Sequence, residues 1–337
     1  FLLNKSEKKY QMIKKRNSKY GKKAIFGLMP DWNPAEIIGF QPNLFSYSLY
    51  KLLVTDKIWA TARKQMGYKE LKDPKLMYSF TGKPFIDLRM SFNSLLPKSL
   101  NNELGKKITK FWIDEIIKKP YYHDKIEFEI TDNCFYFGSK KKISKKYDFL
   151  KKNEKIKFYE ELKKLTNNIL REYKTNFSKM NNDIMNLENF RIQTIKEFLL
   201  TNDNEIKFSK KLLSKCCTKG LIPFAKQARN AFIGKKILIS LVDTKVLSKK
   251  SYFNILSKLE TISHDYIIDQ KILNNSMNGR KKFKKKYFHL RPNSYDILNK
   301  RYNEKISANE MDYKEINKLL NFDVKKINNI ISIKESK

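Results

Sequence analysis

The 337-residue sequence is poor in the residues that most often announce a function: 10 glycines, 9 prolines, 3 cysteines and 3 histidines. So little glycine leaves almost nothing to build a phosphate cradle. No Walker loop, Gly-x-Gly-x-x-Gly stretch or nucleophile elbow occurs, so this chain is expected to bind no nucleotide cofactor itself. Cys134 and the adjacent Cys216 and Cys217 form no spaced framework. That excludes a disulfide scaffold and points to a reducing compartment. The adjacent pair reads as buried small hydrophobes, with a redox pair as the alternative. His123, His264 and His289 lie far apart, and no Cys or His pair has zinc-site spacing, so no metal is expected. His123, beside Asp124, reads as part of a surface turn, and His264 as a partly buried structural residue of a helix.

Long apolar runs are missing too. None approaches the ~20 residues of a membrane span, and Phe1-Leu2-Leu3 breaks at once into Lys and Glu without the core of a secretory signal. A cytoplasmic protein without a membrane partner is the expectation. The opening Phe1 and the basic residues up to Lys23 read as the interior of a longer reading frame or a processed end.

Arginine is the last scarcity. The chain carries 71 Lys and Arg against 35 Asp and Glu, a formal charge of +36, yet only 9 of the 71 are Arg. Lys, Asn and Ile share A/T-rich codons, so coding bias raises the charge without any selected ligand. The runs Lys5–Lys23, Lys140–Lys157 and Arg280–Lys286 read as solvated lysine faces rather than Arg-led grooves. Nucleic acid is therefore not the expected partner, and a basic helical nucleic-acid-binding protein is kept as the alternative. With 41% hydrophobic residues, 23 Phe and 18 Tyr, the chain can bury a sizeable core.

The pattern predicts an α+β fold, predominantly α-helical, with a small antiparallel β portion in the first 140 residues. Its organisation reads as a basic lead over 1–23, an α+β subdomain over 24–140 and a helical subdomain over 141–337, or one continuous domain over 24–302. The segment 24–29 is apolar and short, a candidate buried strand. Asn33, Pro34 and Glu36 read as the cap, first residue and capping-box acid of a helix. A second helix is expected over 46–65 with Leu49, Leu52, Leu53 and Trp59 on its apolar side. Strands 76–80 and 84–93 around Thr81-Gly82-Lys83 read as a hairpin. In its second strand Ile86, Leu88, Met90 and Phe92 alternate with Asp87, Arg89, Ser91 and Asn93. Another hairpin is expected at 125–130 and 134–137. Stripes at Leu104, Ile108, Phe111, Trp112 and Ile116, and at Phe158, Leu162, Leu165, Ile169 and Tyr173, predict two helices. After an Asn-rich stretch near 175–189, further helices are expected at 190–200, 223–243, 249–273 and 309–320.

Three polar clusters can carry chemistry. Asp31 to Glu36 serves first as a helix start, and its free N–H groups with Asn33 also suit an anionic ligand. The Asp87/Arg89/Ser91/Asn93 face serves equally as an internal ion pair or as the lining of a phosphate or carboxylate pocket. His289-Leu290-Arg291-Pro292-Asn293-Ser294-Tyr295-Asp296 joins a titratable ring, a cation and a carboxylate, again with a structural or a functional use.

These clusters also carry a family likeness. Gly27-Leu28-Met29-Pro30-Asp31-Trp32-Asn33-Pro34-Ala35-Glu36-Ile37-Ile38-Gly39 resembles a stretch of phosphoenolpyruvate synthase/pyruvate phosphate dikinase-like proteins. Leu49 to Asp56 with Trp59-Ala60, and Gly82 to Arg89 with Ser91 to Ser94, are similar to the same family. So are Pro223-Phe224-Ala225, Ala228 to Ile233, His289 to Pro292 and Ser294 to Ile297, all in family order. The likeness runs from about 24 to 302 and is weakest over 140–215. Asn293 departs from it by standing where a glycine is expected, which alters the local turn.

The resemblance implies the region between an upstream ATP-grasp domain and a downstream swivelling domain with a phosphorylatable histidine. ATP and Mg2+ are thereby implied for the full-length enzyme. By analogy with rifampin phosphotransferases, whose intermediate domain is largely helical and binds the acceptor, this region is expected to hold an anionic small-molecule acceptor or to dock the flanking domains. Asn33, Arg89, Asn93, His289, Arg291 and Tyr295 are the expected binding residues, and Asp87 and Asp296 the orienting or proton-accepting carboxylates. A non-catalytic scaffold remains a further alternative.

Overall fold

A computed structural model describes residues 2–28, 32–201, 204–259, 261–273, 277–291 and 301. The chain divides into two units, Phe1–Leu259 and Glu260–Lys337. The fold is α+β and predominantly helical, as the sequence predicts, with one three-stranded antiparallel sheet in the first unit.

The unit opens on helix α1 (Leu2–Arg16), so the basic lead is folded, and Ile13 near its end is completely buried. Strand β1 (Phe26–Gly27) follows, then the short helix α2 (Pro34–Ile38) capped by Asn33. Next come α3 (Leu44–Tyr50) and α4 (Ile58–Gln65), joined through a π-helical turn at Lys51–Thr55. That turn corrects the expected apolar side of a single helix over 46–65. One extra residue in a turn rotates everything beyond it by about 100°. Ser46, Tyr50, Thr55 and Trp59 therefore face inward, while Leu52 is exposed.

Strands β2 (Met77–Phe80) and β3 (Lys83–Asp87) form the expected hairpin, and β3 lies between β1 and β2. Thr81 and Gly82 both have positive φ, 50° and 82°, as a two-residue hairpin turn requires. The second strand is shorter than expected. It stops at Asp87, whose side chain accepts the backbone N–H groups of Arg89 and Met90 and so starts helix α5 (Leu88–Asn93). Every residue of α5 is buried. Leu88 and Phe92 join one core cluster with Trp112, Tyr147 and Phe158, and Met90 joins another with Trp59, Leu76 and Ile86.

Helix α6 (Asn102–Lys118) buries its predicted stripe and stops before Pro120. The second expected hairpin is absent: a π-helical turn occupies Ile126–Ile130, and the chain to Phe137 is irregular. Its alternation is cut short because Thr131, Asp132, Asn133 and Cys134 are all buried, and the first three bond to side chains instead of a strand partner. Helix α7 (Ser139–Lys146) leads into α8 (Lys152–Leu200), which continues straight through the Asn-rich stretch. Helix α9 (Glu205–Lys215) and its extension pack against the second half of α8, at Asp183 within that stretch and at Glu197 and Phe198 beyond it. Phe198 lies 4.5 Å from Phe208, and Lys211–Glu197 and Lys219–Asp183 pair at 2.8 Å each. Tertiary contact of this kind overrides weak local propensity. A third π-helical turn, Cys216–Leu221, feeds α10 (Ile222–Asp243), and α11 (Lys249–Ser257), capped by Ser248, closes the unit.

In the second unit, α12 (Ile262–Leu273) and α13 (Met277–Tyr287) pack through Tyr266, Phe283 and Tyr287. The helix expected at 249–273 is thus broken in two. The helix expected at 309–320 lies outside the described residues. Among the described residues no helix is long and apolar enough to cross a membrane.

Candidate functional site

Four segments of the first unit enclose a cavity of about 340 Å³. The entry to α2 supplies Trp32, Asn33 and Ile37, and α4 supplies Trp59, Ala62 and Arg63. The stretch around the π-helical turn at Ile126–Ile130 brings Lys125, Glu127 and Phe128. Helix α10 contributes Phe224, Ala225, Ala228, Arg229 and Phe232 from one face, at helical spacing. Three of these walls lie on or directly after a π-helical turn, a feature that often marks functional sites because it re-aims side chains.

Backbone strain gathers at the rim. Trp32 and Asn33 have φ of 63° and 25°, which bulky L-residues rarely adopt and which cost roughly 1–3 kcal/mol each. The rings cover the walls: Phe128 lies 5.2 Å from Phe232, and Trp32 lies 6.5 Å from Phe224.

The charged part is a carboxylate between two arginines. Glu127 Oε1 stands 3.3 Å from Arg63 Nη2 and 3.2 Å from Arg229 Nη1. Arg63 also donates to Ser94 Oγ at 2.5 Å and rests on the Trp59 ring at 5.3 Å. Arg229 donates to the Tyr68 hydroxyl at 3.0 Å and to the Asn133 side-chain oxygen, and it lies over the Tyr68 ring. Burial works against the Arg229 charge, but Tyr68 and Glu127 more than offset it and the guanidinium stays cationic.

Behind this trio a buried network fixes its backbone. Lys236 Nζ donates to the Thr131 carbonyl at 2.8 Å and the Glu127 carbonyl at 3.2 Å, and Asn133 donates to the same Glu127 carbonyl. Asp132 accepts from Tyr136 at 2.7 Å and from Tyr147 and Lys146 at 2.8 Å. Burial opposes its charge, yet Lys146 and Lys236 hold the carboxyl well below the usual carboxylate range.

The residues singled out in the sequence divide sharply. Asn33 lines the cavity, but its side chain also caps α2, accepting Glu36 N–H at 3.2 Å and donating back to the Glu36 carboxylate. Asp87, Arg89 and Asn93 are 0%, 0% and 1% exposed and are bonded to the chain itself. Arg89 donates to the carbonyls of Ile13, Lys14 and Gly21 at 3.2, 3.1 and 2.8 Å and pairs with Asp87 at 3.5 Å. Asn17 donates to Asp87, and Asn93 donates to the Tyr20 carbonyl. This cluster binds the end of α1 to the core, and its polar atoms turn away from solvent because no alternating strand exists there. His289 and Arg291 belong to the second unit, His289 exposed and Arg291 half-buried. Asp31, Tyr295 and Asp296 lie outside the described residues.

Glu127, Arg63 and Phe128 went unrecognised in the sequence. The available signal was arginine scarcity, since Arg63 is one of only 9 in the chain. Burial pushes the free thiols of Cys216 and Cys217 up, which lowers their thiolate fraction. Among the described residues no group of three or more His, Cys, Asp or Glu is placed to hold a metal ion. Comparison with protein-family models, curated proteins and solved structures finds no match to this chain.

Proposed function

We propose that this chain is the central, acceptor-binding region of an ATP-dependent phosphotransferase of the phosphoenolpyruvate synthase/pyruvate phosphate dikinase-like kind, working in the cytoplasm. One observation carries the reading. Trp32-Asn33, Trp59 and Phe224-Ala225 with Ala228-Arg229 and Phe232 come from three sequence stretches that resemble that family, and they line one cavity. The other stretch in the first unit, around Asp87 and Arg89, holds α1 against the same core.

In this reading an upstream ATP-grasp domain uses ATP and Mg2+ to phosphorylate a histidine of a downstream swivelling domain. The present region holds the acceptor where that phosphohistidine can reach it. Orientation and charge neutralisation supply most of the catalysis in phosphoryl transfer. Arg63, Arg229 and Lys125 outnumber the carboxylates of Asp124 and Glu127 along the lining, which suits an acceptor of low negative charge.

Sequencing the coding DNA on both sides tests the assignment. An ATP-grasp domain in frame upstream and a swivelling-domain histidine in frame downstream are the expected result. Flanking frames that encode neither overturn it.

A further inference from the structure

The second half of α8 has one covered face. Met180 and Thr194 are buried there, Asp183 pairs with Lys219, and Phe198 lies against Phe208. Beside it runs an apolar stripe that stays open to solvent. Leu170, Phe177, Ile184, Met185, Ile192 and Leu199 are between 38% and 76% exposed. At about 100° per residue these six fall within about 100° of arc, along about 44 Å of helix. Single exposed apolar residues are ordinary, but six in line on one helix mark an interaction face.

The stripe reads the same in both directions. Counted from the midpoint between Ile184 and Met185, Leu170 and Leu199 stand equally far out, and so do Phe177 and Ile192. The positions between them keep the symmetry, with Asn181 balancing Glu188 and Lys174 balancing Ile195. A face shaped for an unrelated partner has no reason to repeat itself backwards. A two-fold interface requires it, because each copy presents the same patch in reverse order.

We infer that two copies of this chain pair through α8, with the helices antiparallel about a two-fold axis at the Ile184–Met185 midpoint. Leu170 then stands level with the second copy's Leu199, Phe177 with its Ile192, and Ile184 with its Met185. Asn181 stands level with the second copy's Glu188, once on each side of the axis. The Asn181 amide supplies N–H donors. Glu188 accepts from Arg191 at 2.6 and 2.8 Å, and a carboxylate has acceptor sites beyond those two. Polar layers of this kind fix the register of paired helices. A parallel pair would instead set Lys174 beside Lys174 and Glu188 beside Glu188, like charges along the contact. A contact about 44 Å long and about 10 Å wide buries roughly 900 Å² over the two copies, the low end for a specific interface. The dimer is therefore reversible, half-formed at concentrations on the order of 10–100 μM. It asks nothing of the cavity, and its failure leaves the function proposed above untouched.

Sedimentation equilibrium on the full chain tests the pairing. The apparent mass is expected to rise from one chain toward two between about 1 and 500 μM. Met185→Lys combined with Leu199→Lys changes two exposed positions without loss of helix propensity and sets like charges across the axis. It is expected to weaken association about tenfold or more, while the circular dichroism spectrum and melting profile stay native. Cysteine cross-linking reads the direction. Leu170→Cys mixed with Leu199→Cys is expected to give a disulfide-linked dimer under mild oxidation. Leu170→Cys alone is expected to give no more than the wild-type thiols do.

A wild-type chain that stays monomeric to about 500 μM overturns the inference. So does a folded Met185→Lys, Leu199→Lys chain that associates as well as wild type. Cross-linking of Leu170→Cys with itself, and not with Leu199→Cys, overturns the antiparallel arrangement. If the double variant does not fold, the concentration dependence and the cross-link decide the matter.

Discussion

Replacing Arg89 by Met separates the structural role of this residue from the acceptor-binding role expected of it. The substitution keeps a long apolar stem but leaves three backbone carbonyls, those of Ile13, Lys14 and Gly21, without their donor, and strands Asp87 as a lone buried charge. Burial already pushes the Asp87 carboxyl up, with Arg89 as the main group pulling it back. Breaking one side of such a pair costs about 3–5 kcal/mol, a large part of the roughly 5–15 kcal/mol that holds a domain folded. For a unit of this size that converts to a fall in Tm of about 6–20 °C. Urea unfolding followed by circular dichroism gives the free energy. Limited trypsin digestion gives the location, because α1 is rich in lysine and is expected to be cut first. Asp87→Asn combined with Arg89→Met is expected to be more stable than Arg89→Met alone, since no charge is then left unpaired while an acceptor still caps α5. An Arg89→Met chain that melts within a degree or two of wild type, yet loses ligand binding, would refute the reasoning and return Arg89 to the site.

Further expectations concern the support around the cavity. Asp132 has a folded-state pKa below its unfolded value, so the stability it confers is complete above the unfolded value of about 4 and is lost as pH falls from there. The difference in unfolding free energy between wild type and Asp132→Asn should therefore be constant from neutral pH down to about 5 and shrink in more acid solution. A difference that grows in acid contradicts the pairing with Lys146 and Lys236. Gly67 follows α4 with φ of 92°, and an added Cβ would meet Leu165 Cδ1 at 3.0 Å. Gly67→Ala is expected to lower stability by about 1–2 kcal/mol in urea titrations, and an unchanged midpoint would show that this left-handed position is not required.

Where the sequence predicted well, a local signal was decisive. Asn33 before Pro34 sets the start of α2, and Thr81-Gly82 sets the hairpin. The apolar stripe through Leu104, Ile108 and Trp112 has only one way to face a core. The reading failed where both sides of an element are buried. From Ile86 to Asn93, alternation suggests a strand with one polar face. In the fold the polar members serve α1 and the apolar members serve two separate clusters, an arrangement periodicity alone does not distinguish. The same limit hid Glu127, which looked like an alternating residue of a hairpin and stands instead in a π-helical turn between two arginines. Trp32, Asn33, Phe224 and Arg229 stand in the stretches that carry the resemblance, but nothing in the sequence indicates that they meet. Their convergence involves three π-helical turns, two of them next to α-helices and one standing alone at Ile126–Ile130, and hydrophobic periodicity does not mark such turns.

The central claim is that the aromatic cavity holds the group to which phosphoryl is transferred. It is tested most directly in the longer enzyme that the proposed function implies, by charging its phosphohistidine with radiolabelled phosphate and following the label onto added small-molecule acceptors. Wild type is expected to pass label from histidine to an acceptor, and Ala228→Leu, which fills the cavity, to retain it on histidine. Transfer at the same rate in both would contradict the account.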